Sequence, residues 1–317
     1  MRNIYSNIFK VNNKNLSKAV KCLKKKQIIG VPTETVYGLA GNAYSKESIK
    51  KIYLLKKRPF KNPLIIHYLN LKKLKNDVEL NTDFYKLYKK FCPGPITFVL
   101  KKKKNSLLPS MATANLKTVA VRIPRNTAIR KILRSLNFPL AIPSANKSSH
   151  VSPVSANDVV SEFGASLKFI LNGGRCTIGL ESTVVDLTSG PRVLRPGLVN
   201  PLDISKILKK KINIYKGSKG IKAPGMLKRH YSPGIPMKLN QKEVKNNEAF
   251  IVFGKKYKKA KNIFNLSRKS NLNEAARNLY RVLRLIKKKN YKMIYVSSIP
   301  KTGIGLAIND RLSRAAK

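Results

Sequence analysis

Seven short apolar runs recur along the first two-thirds of this chain, most of them ending in a polar cluster: Ile28–Val31, Pro63–Tyr68, Ile96–Leu100, Thr118–Ile123, Lys168–Leu171, Thr183–Leu187 and Arg192–Leu194. Each is too short for a helix and has the length of a buried strand. Helical patterns lie between several of them. Leu16, Ala19, Val20 and Leu23 keep the i, i+3, i+4, i+7 spacing of one helix face, predicting a helix over 16–26. Ser45 is a candidate N-cap for a helix to about Lys56, further helices are expected at 81–91, 126–136 and 155–163, and Asn200-Pro201 reads as an N-cap and first-turn pair opening a helix to about 210. Such alternation dictates an α/β domain with a mixed sheet.

At 317 residues the chain is long enough for two domains, and the composition changes where the first would end. Residues 206–222 are lysine-rich and lack acids, and Ala223–Pro236 carries three prolines and two glycines with little apolar periodicity. The expected organisation is a catalytic domain over 1–205, a linker or lid over 206–236 and a small α/β domain over 237–317. In the last, strands at 249–253 and 293–296 alternate with helices at 272–289 and 306–316. The apolar stripe of the longer helix runs through Leu272, Ala275, Ala276, Leu279, Val282, Leu283 and Ile286. That order suggests a small, doubly wound, Rossmann-like sheet.

No run reaches the ~20 apolar residues that span a bilayer, and the first residues have no signal-peptide core, so a cytoplasmic protein is expected. Cys22, Cys92 and Cys176 have neither disulfide nor metal spacing and read as reduced, buried thiols. Lysine and arginine total 66 against 14 acids, a net charge of +52. A nucleic-acid partner would explain this excess, and so would compositional drift, because lysines decorate the whole chain. Against that background, Glu34 and Glu181 stand out, each in a short polar motif between apolar runs.

Phosphate-loop, dinucleotide-binding, zinc-protease and nucleophile-elbow motifs are absent, and His67, His150 and His230 are too few for a histidine-rich metal centre. What remains is five polar clusters at strand ends: Val31–Leu39 with Thr35; Lys56–His67 with Arg58 and Asn62; Thr118 and Arg122; Ile142–Asn146 with Ser144 and, further on, Ser152; and Gly179–Thr183 with Ser182, followed by Arg195. Taken singly, Lys56 fits a solvated lysine, His67 a satisfied core histidine and Ser144 a turn residue, while Arg122 and Arg195 could pair with Glu34 and Glu181. Together they gather at strand ends, where open α/β sheets bind ligands. Cations and hydroxyls in that number suit a phosphate-bearing anion.

The strings PTETVYGL (32–39), KKRP (56–59), NPLIIH (62–67), CPGPITFVL (92–100), TVAVRIP (118–124), PSAN (143–146), GLESTVVD (179–186) and VLRPG (193–197) closely resemble the threonylcarbamoyl-AMP synthase family, built on the YrdC-like domain. APGMLKRHYSP (223–233) and AINDRLSRAAK (307–317) are similar to the linker and C-terminal end of its two-domain form. The resemblance implies a YrdC-like twisted mixed sheet with helices, and synthesis of threonylcarbamoyl-AMP and pyrophosphate from L-threonine, bicarbonate and ATP. The product would serve a downstream tRNA threonylcarbamoyl transferase machinery. Carried over by motif, Thr35, His67, Arg122, Ser182 and the backbone of Ile142 would bind threonine. Lys56, Arg58, Asn62, Thr118, Ser144, Asn146, Ser152, Arg195 and Tyr231 would bind ATP, with Lys56 and Arg58 closest to the chemistry. Mg2+ would arrive with ATP, and no protein metal ligand is expected. A nucleic-acid-binding module, with non-specific tRNA affinity, is the alternative. A carbamoyl-transfer maturation protein would share only residues 16–205, and its acylphosphatase and zinc segments are missing here.

Overall fold

The computed structural model describes residues 6–215, 223, 226, 230–244, 247–258 and 260–317. The chain opens with β1 (Ile8–Lys10), α1 (Asn13–Lys24), β2 (Ile29–Val31), β3 (Gly38–Asn42) and α2 (Lys46–Lys56). Next come β4 (Ile65–His67), α3 (Leu71–Leu74), α4 (Thr82–Phe91), β5 (Ile96–Lys101) and β6 (Thr118–Arg122). After them run α5 (Thr127–Arg134), β7 (Leu140–Ala141), α6 (Ala156–Phe163), β8 (Ile170–Asn172), β9 (Thr183–Asp186), β10 (Arg192–Arg195), α7 (Pro201–Leu208) and β11 (Asn213–Ile214). The remainder is β12 (Met237–Lys238), β13 (Ala249–Val252), β14 (Ile263–Asn265), α8 (Leu272–Lys288), β15 (Ile294–Val296) and α9 (Gly305–Ala315).

Every helix but α9 starts where a side-chain cap satisfies its first amides. Ser45 accepts from the Ser48 N–H, and Asn200 from Leu202 N–H with Pro201 in the first turn. Strands β1 to β11 make one mixed sheet in the order β1-β8-β2-β3-β7-β4-β6-β5-β9-β10-β11. At its centre β4 runs parallel to β6, which sets His67 opposite Arg122 and Ile65 opposite Ala120. Alternation then sorts the side chains by face. Ile66, Val119, Val121, Val185 and Val193 pack with Ile52 of α2, Phe84 of α4 and Ile204 of α7. The opposite face presents Ile65, Val99, Ala120, Val184 and Leu194, and Ala223, Tyr215 and Met226 lie against it. Helices therefore cover one face of these central strands, and among the described residues Tyr215, Ala223 and Met226 lie against the other.

The second sheet is parallel, in the order β12-β15-β13-β14. Its Ala249, Ile251, Ile294 and Val296 pack with α8 and α9, while Phe250, Val252 and Tyr295 meet the loop residues Val244 and Tyr257. Both helices thus lie on one face, unlike the doubly wound arrangement expected, in which each face would carry helices. The same apolar cluster continues into Tyr37, Val154, Val160 and Leu180, so α8 and α9 are packed between the second sheet and the loops and helix α6 of the first domain. Among the described residues no helix is long and apolar enough to cross a membrane.

Candidate active site

Where β4 and β6 end, the helix-free face opens into a cavity. Thr35, Arg58, His67, Arg122, Ile142, Ser144, Ser182, Arg195 and Tyr231, all singled out from sequence, line it, together with Ile65, Glu181 and His230. Seven come from three kinds of position: the ends of β4, β6 and β10, the turns after β2 and β7, and the approach to β9; the eighth, Arg58, follows the C-terminus of α2. The ninth, Tyr231, comes from the linker.

One side is organised by Arg122. Its Nη2 lies 2.8 Å from Glu34 Oε1, its Nη1 donates to Thr35 Oγ1 at 2.9 Å, and its Nε donates to the Gly94 carbonyl at 3.3 Å. Thr33 and Thr35 hydroxyls are 2.8 Å apart, tying the turn after β2 into one polar unit. Burial alone would raise the Glu34 pKa, but the Arg122 charge and the Arg125 amide outweigh it and hold the carboxyl at about 2. His67 lies beside this pair with Nδ1 3.3 Å from the Ile65 carbonyl. Burial, then the Arg122 charge, push it down to about 3, so its imidazole is neutral at pH 7. A neutral ring and a charged guanidinium make a suitable seat for a small zwitterion with a carboxylate.

The other side carries Arg58, Ser144, Ser182, Arg195 and Tyr231. Arg195 donates through Nε to the Ser182 carbonyl at 3.1 Å and through Nη2 to Ser182 Oγ at 3.1 Å, and that hydroxyl lies 2.7 Å from Thr97 Oγ1. Arg58 donates through Nε to the Asn62 carbonyl at 2.9 Å and through Nη2 to Asn62 Oδ1 at 2.6 Å and the Pro63 carbonyl at 2.7 Å. Burial pulls the Arg58 pKa to about 10, which leaves it a cation at neutral pH. The linker closes this side. Tyr231 is fully buried, takes a left-handed φ of 64°, and its ring centroid is 4.0 Å from that of His230. Ser232 N–H donates to the Ser149 carbonyl at 2.9 Å, anchoring the segment to the loop after β7. Of the expected linker or lid over 206–236, residues 216–222, 224–225 and 227–229 lie outside the described residues.

Five residues expected in the site are placed elsewhere. Lys56 donates to the carbonyls of Ser144 and Asn146, behind the wall rather than facing the cavity. Its pKa falls well below the ordinary lysine value through burial and the nearby Arg58 charge. In this structure it fastens the Pro143–Asn146 loop to α2. Asn62 accepts from Arg58, and Asn146 Nδ2 donates to the Lys147 and His150 carbonyls at 2.7 and 2.9 Å. Ser152 donates to Glu181 Oε1 at 2.5 Å. Thr118 opens β6, on the same face as Ala120 and Arg122 but four residues from the latter, roughly 13 Å along the strand. The apolar floor of Ile65, Ala120 and Val99 runs toward that end, so an elongated ligand could span both.

Reasoning from sequence missed His230, which lines the cavity, and Arg311 and Tyr280, which sit behind it. A signal was present for the last two. Tyr280 follows Ala276 by one turn on the α8 stripe, and Arg311 falls between Ile308 and Leu312 on the buried side of α9.

Comparison with known proteins agrees with this geometry. A family model described as telomere recombination, covering the Sua5, YciO and YrdC proteins, matches residues 21–197. A second, described as threonylcarbamoyl-AMP synthase, C-terminal domain, matches 199–317. The threonylcarbamoyl-AMP synthase of Pyrococcus abyssi is 35% identical, with 93% of this chain and 92% of that protein covered. That of Bacillus subtilis is 32% identical, covering 96% and 94%. The crystal structure of P. abyssi Sua5 complexed with L-threonine superposes with a TM-score of 0.90 at 32% identity, covering 98% of this chain and 97% of the other.

Proposed function

Because the chain belongs to the threonylcarbamoyl-AMP synthase family of enzymes, in its two-domain form, we propose that this cavity joins L-threonine, bicarbonate and ATP into threonylcarbamoyl-AMP and pyrophosphate. The observation that carries the reading is the pairing of a neutral His67 with a charged Arg122 across adjacent strands, in one cavity with Arg58 and Arg195. Threonine belongs at the first pair: Arg122 and the Thr35 hydroxyl bind its polar groups, Ser182 reaches it from the Arg195 side where the two halves of the cavity meet, and neutral His67 accepts or donates a hydrogen bond without repelling its ammonium. The similar P. abyssi protein was solved complexed with L-threonine, which supports threonine as a substrate here. ATP, entering as its magnesium complex, belongs at the Arg58, Ser144 and Arg195 side, with the nucleoside along the apolar floor toward Thr118 and Tyr231 over it.

In this reading the threonine amine and bicarbonate give a carbamate, losing water. A carbamate oxygen attacks the α-phosphorus, the bond to the bridging oxygen breaks, and pyrophosphate leaves with its electron pair. No protein nucleophile takes part. The cavity contributes orientation and fixed positive charge where the equatorial oxygens and the leaving group become more negative. Magnesium would arrive with ATP as part of the substrate. Glu34 and Glu181, the carboxylates nearest the cavity, are already bonded to Arg122, Arg311, Tyr280 and Ser152. The product is a reactive mixed anhydride, and a linker laid over the cavity would shield it from water until it passes to the tRNA-modifying machinery.

The test is mass spectrometry of the nucleotide products. Threonylcarbamoyl-AMP and pyrophosphate should form only when threonine, bicarbonate, ATP and magnesium are all present. Release of ADP and orthophosphate instead would reject adenylate formation.

A further inference from the structure

Glu181 lines the cavity beside Ser182, yet its counter-ion comes from the far end of the chain. Its Oε2 accepts from Arg311 Nε of α9 at 3.0 Å and from the Tyr280 hydroxyl of α8 at 2.8 Å, and Oε1 accepts from Ser152 Oγ. The Arg311 guanidinium carbon also lies 5.0 Å from the centre of the Tyr231 ring, within cation–π range. Its Nη1 donates to Asp310 Oδ2 at 2.7 Å, which holds the plane of the group. Arg311 is fully buried and is not among the residues that line the cavity, so it acts one layer behind.

We propose that Arg311 is a positioning residue for the nucleotide side of the cavity, holding Glu181 with one edge of its guanidinium and the Tyr231 ring with its face. The proposal rests on the reading of this cavity as the site of ATP and threonine. Its physical basis is the behaviour of a buried carboxylate that loses its partner. Such a group must take up a proton or turn toward another cation. The second cation whose charge acts on Glu181 is Arg195, a cavity residue assigned to the triphosphate. Without Arg311, Glu181 would compete with phosphate oxygens for that guanidinium, and Tyr231 would lose the charge beneath its ring. The threonine side has its own pair, Glu34 with Arg122, and does not touch Arg311.

The experiment compares the full chain with Arg311→Met, Glu181→Gln and the two combined. Pyrophosphate release is measured at varied ATP and at varied threonine, with calorimetric ATP affinity and thermal melting on the same four proteins. Arg311→Met is expected to raise KM for ATP at least tenfold, leaving KM for threonine within twofold. The double variant leaves no unpaired carboxylate at position 181, and Asp310 keeps Arg314, so it is expected to fold even where Arg311→Met does not, with KM for ATP within fivefold of wild type. An equal rise in both KM values, or a double variant as impaired for ATP as Arg311→Met, would overturn the proposal and reduce Arg311 to a staple between domains. A wild-type chain that released no threonine-dependent pyrophosphate would reject the proposed function instead. The calorimetric ATP affinities would then still decide the role of Arg311.

Discussion

On one side of the cavity Glu34 pairs with Arg122, which lies on a strand of the same sheet; on the other, Glu181 pairs with Arg311, which the second domain supplies. Both carboxyls are buried, both are held at about 2, and in both burial works against the charge that an arginine stabilises. The difference is where the arginine resides. The threonine side would be self-contained within the first sheet, whereas the ATP side depends on how α8 and α9 dock. Docking there is close. A side chain at Gly179, where φ is +80°, would place its Cβ 2.6 Å from the Arg277 backbone of α8, and Arg277 Nε donates to the Thr177 carbonyl at 3.0 Å. In the proposed reading, one sheet would bind a small amino acid alone, while the longer anion would need a wall from outside.

The strongest way to break the comparison is Arg122→Ala. If Glu34 depends on this one cation, the substitution leaves a buried, unpaired carboxylate, and denaturant unfolding should show a loss of about 3–5 kcal/mol. A loss under about 1 kcal/mol would mean that Glu34 recruits another partner and the threonine side is not self-contained. The next effect is kinetic. Arg58→Ala removes one charge-assisted contact on the ATP side, about 1.5–3 kcal/mol, so kcat/KM for ATP should fall roughly 10- to 100-fold. Threonine affinity by calorimetry should hold. An equal fall for both ligands would merge the two sides into one.

Acid stability sharpens the same picture. Burial pushes His67 and His230 to about 3, against 6.5 for an ordinary histidine. Between those values the unfolded chain binds protons that the folded chain refuses, so stability is full above about pH 6.5 and falls as pH drops toward 3. Each ring adds up to ~1.4 kcal/mol per pH unit in that window. Glu34, Glu162 and Glu181, lowered from 4.5 to about 2, act in the same direction below pH 4.5. Melting temperature should therefore fall between pH 7 and 5, and less steeply in His67→Asn. An unchanged slope in that variant would show that His67 protonates in the fold. The smallest effect expected is His67→Ala on threonine, a weakening of roughly three- to tenfold for one neutral hydrogen bond, with ATP affinity kept.

Much of this was legible in the chain itself, and the parts that were not share a cause. Helix α2 begins at its expected cap, Ser45, and α7 at Asn200-Pro201, because those side chains meet local amides and need no distant partner. Strand β3 was overlooked because Gly-Leu-Ala-Gly-Asn has little strand propensity of its own, and its pairing comes from β2 and β7. At the site, motif position located the strand ends but not the direction of each side chain. Lys56 shows this best. It continues the Ile49, Ile52, Tyr53 stripe of α2 and so points inward, a clue that the helix period contained. Arg311 is the converse, since nothing in the chain says that a residue 130 positions away closes on Glu181.

The central claim is that two differently built sides of one cavity hold threonine and ATP for adenylate formation. Pyrophosphate release by the intact chain, with each of threonine, bicarbonate, ATP and magnesium omitted in turn, tests it most directly. The account predicts release from the complete mixture and none from any mixture lacking one component. Pyrophosphate appearing without threonine, or ADP in its place, would contradict it.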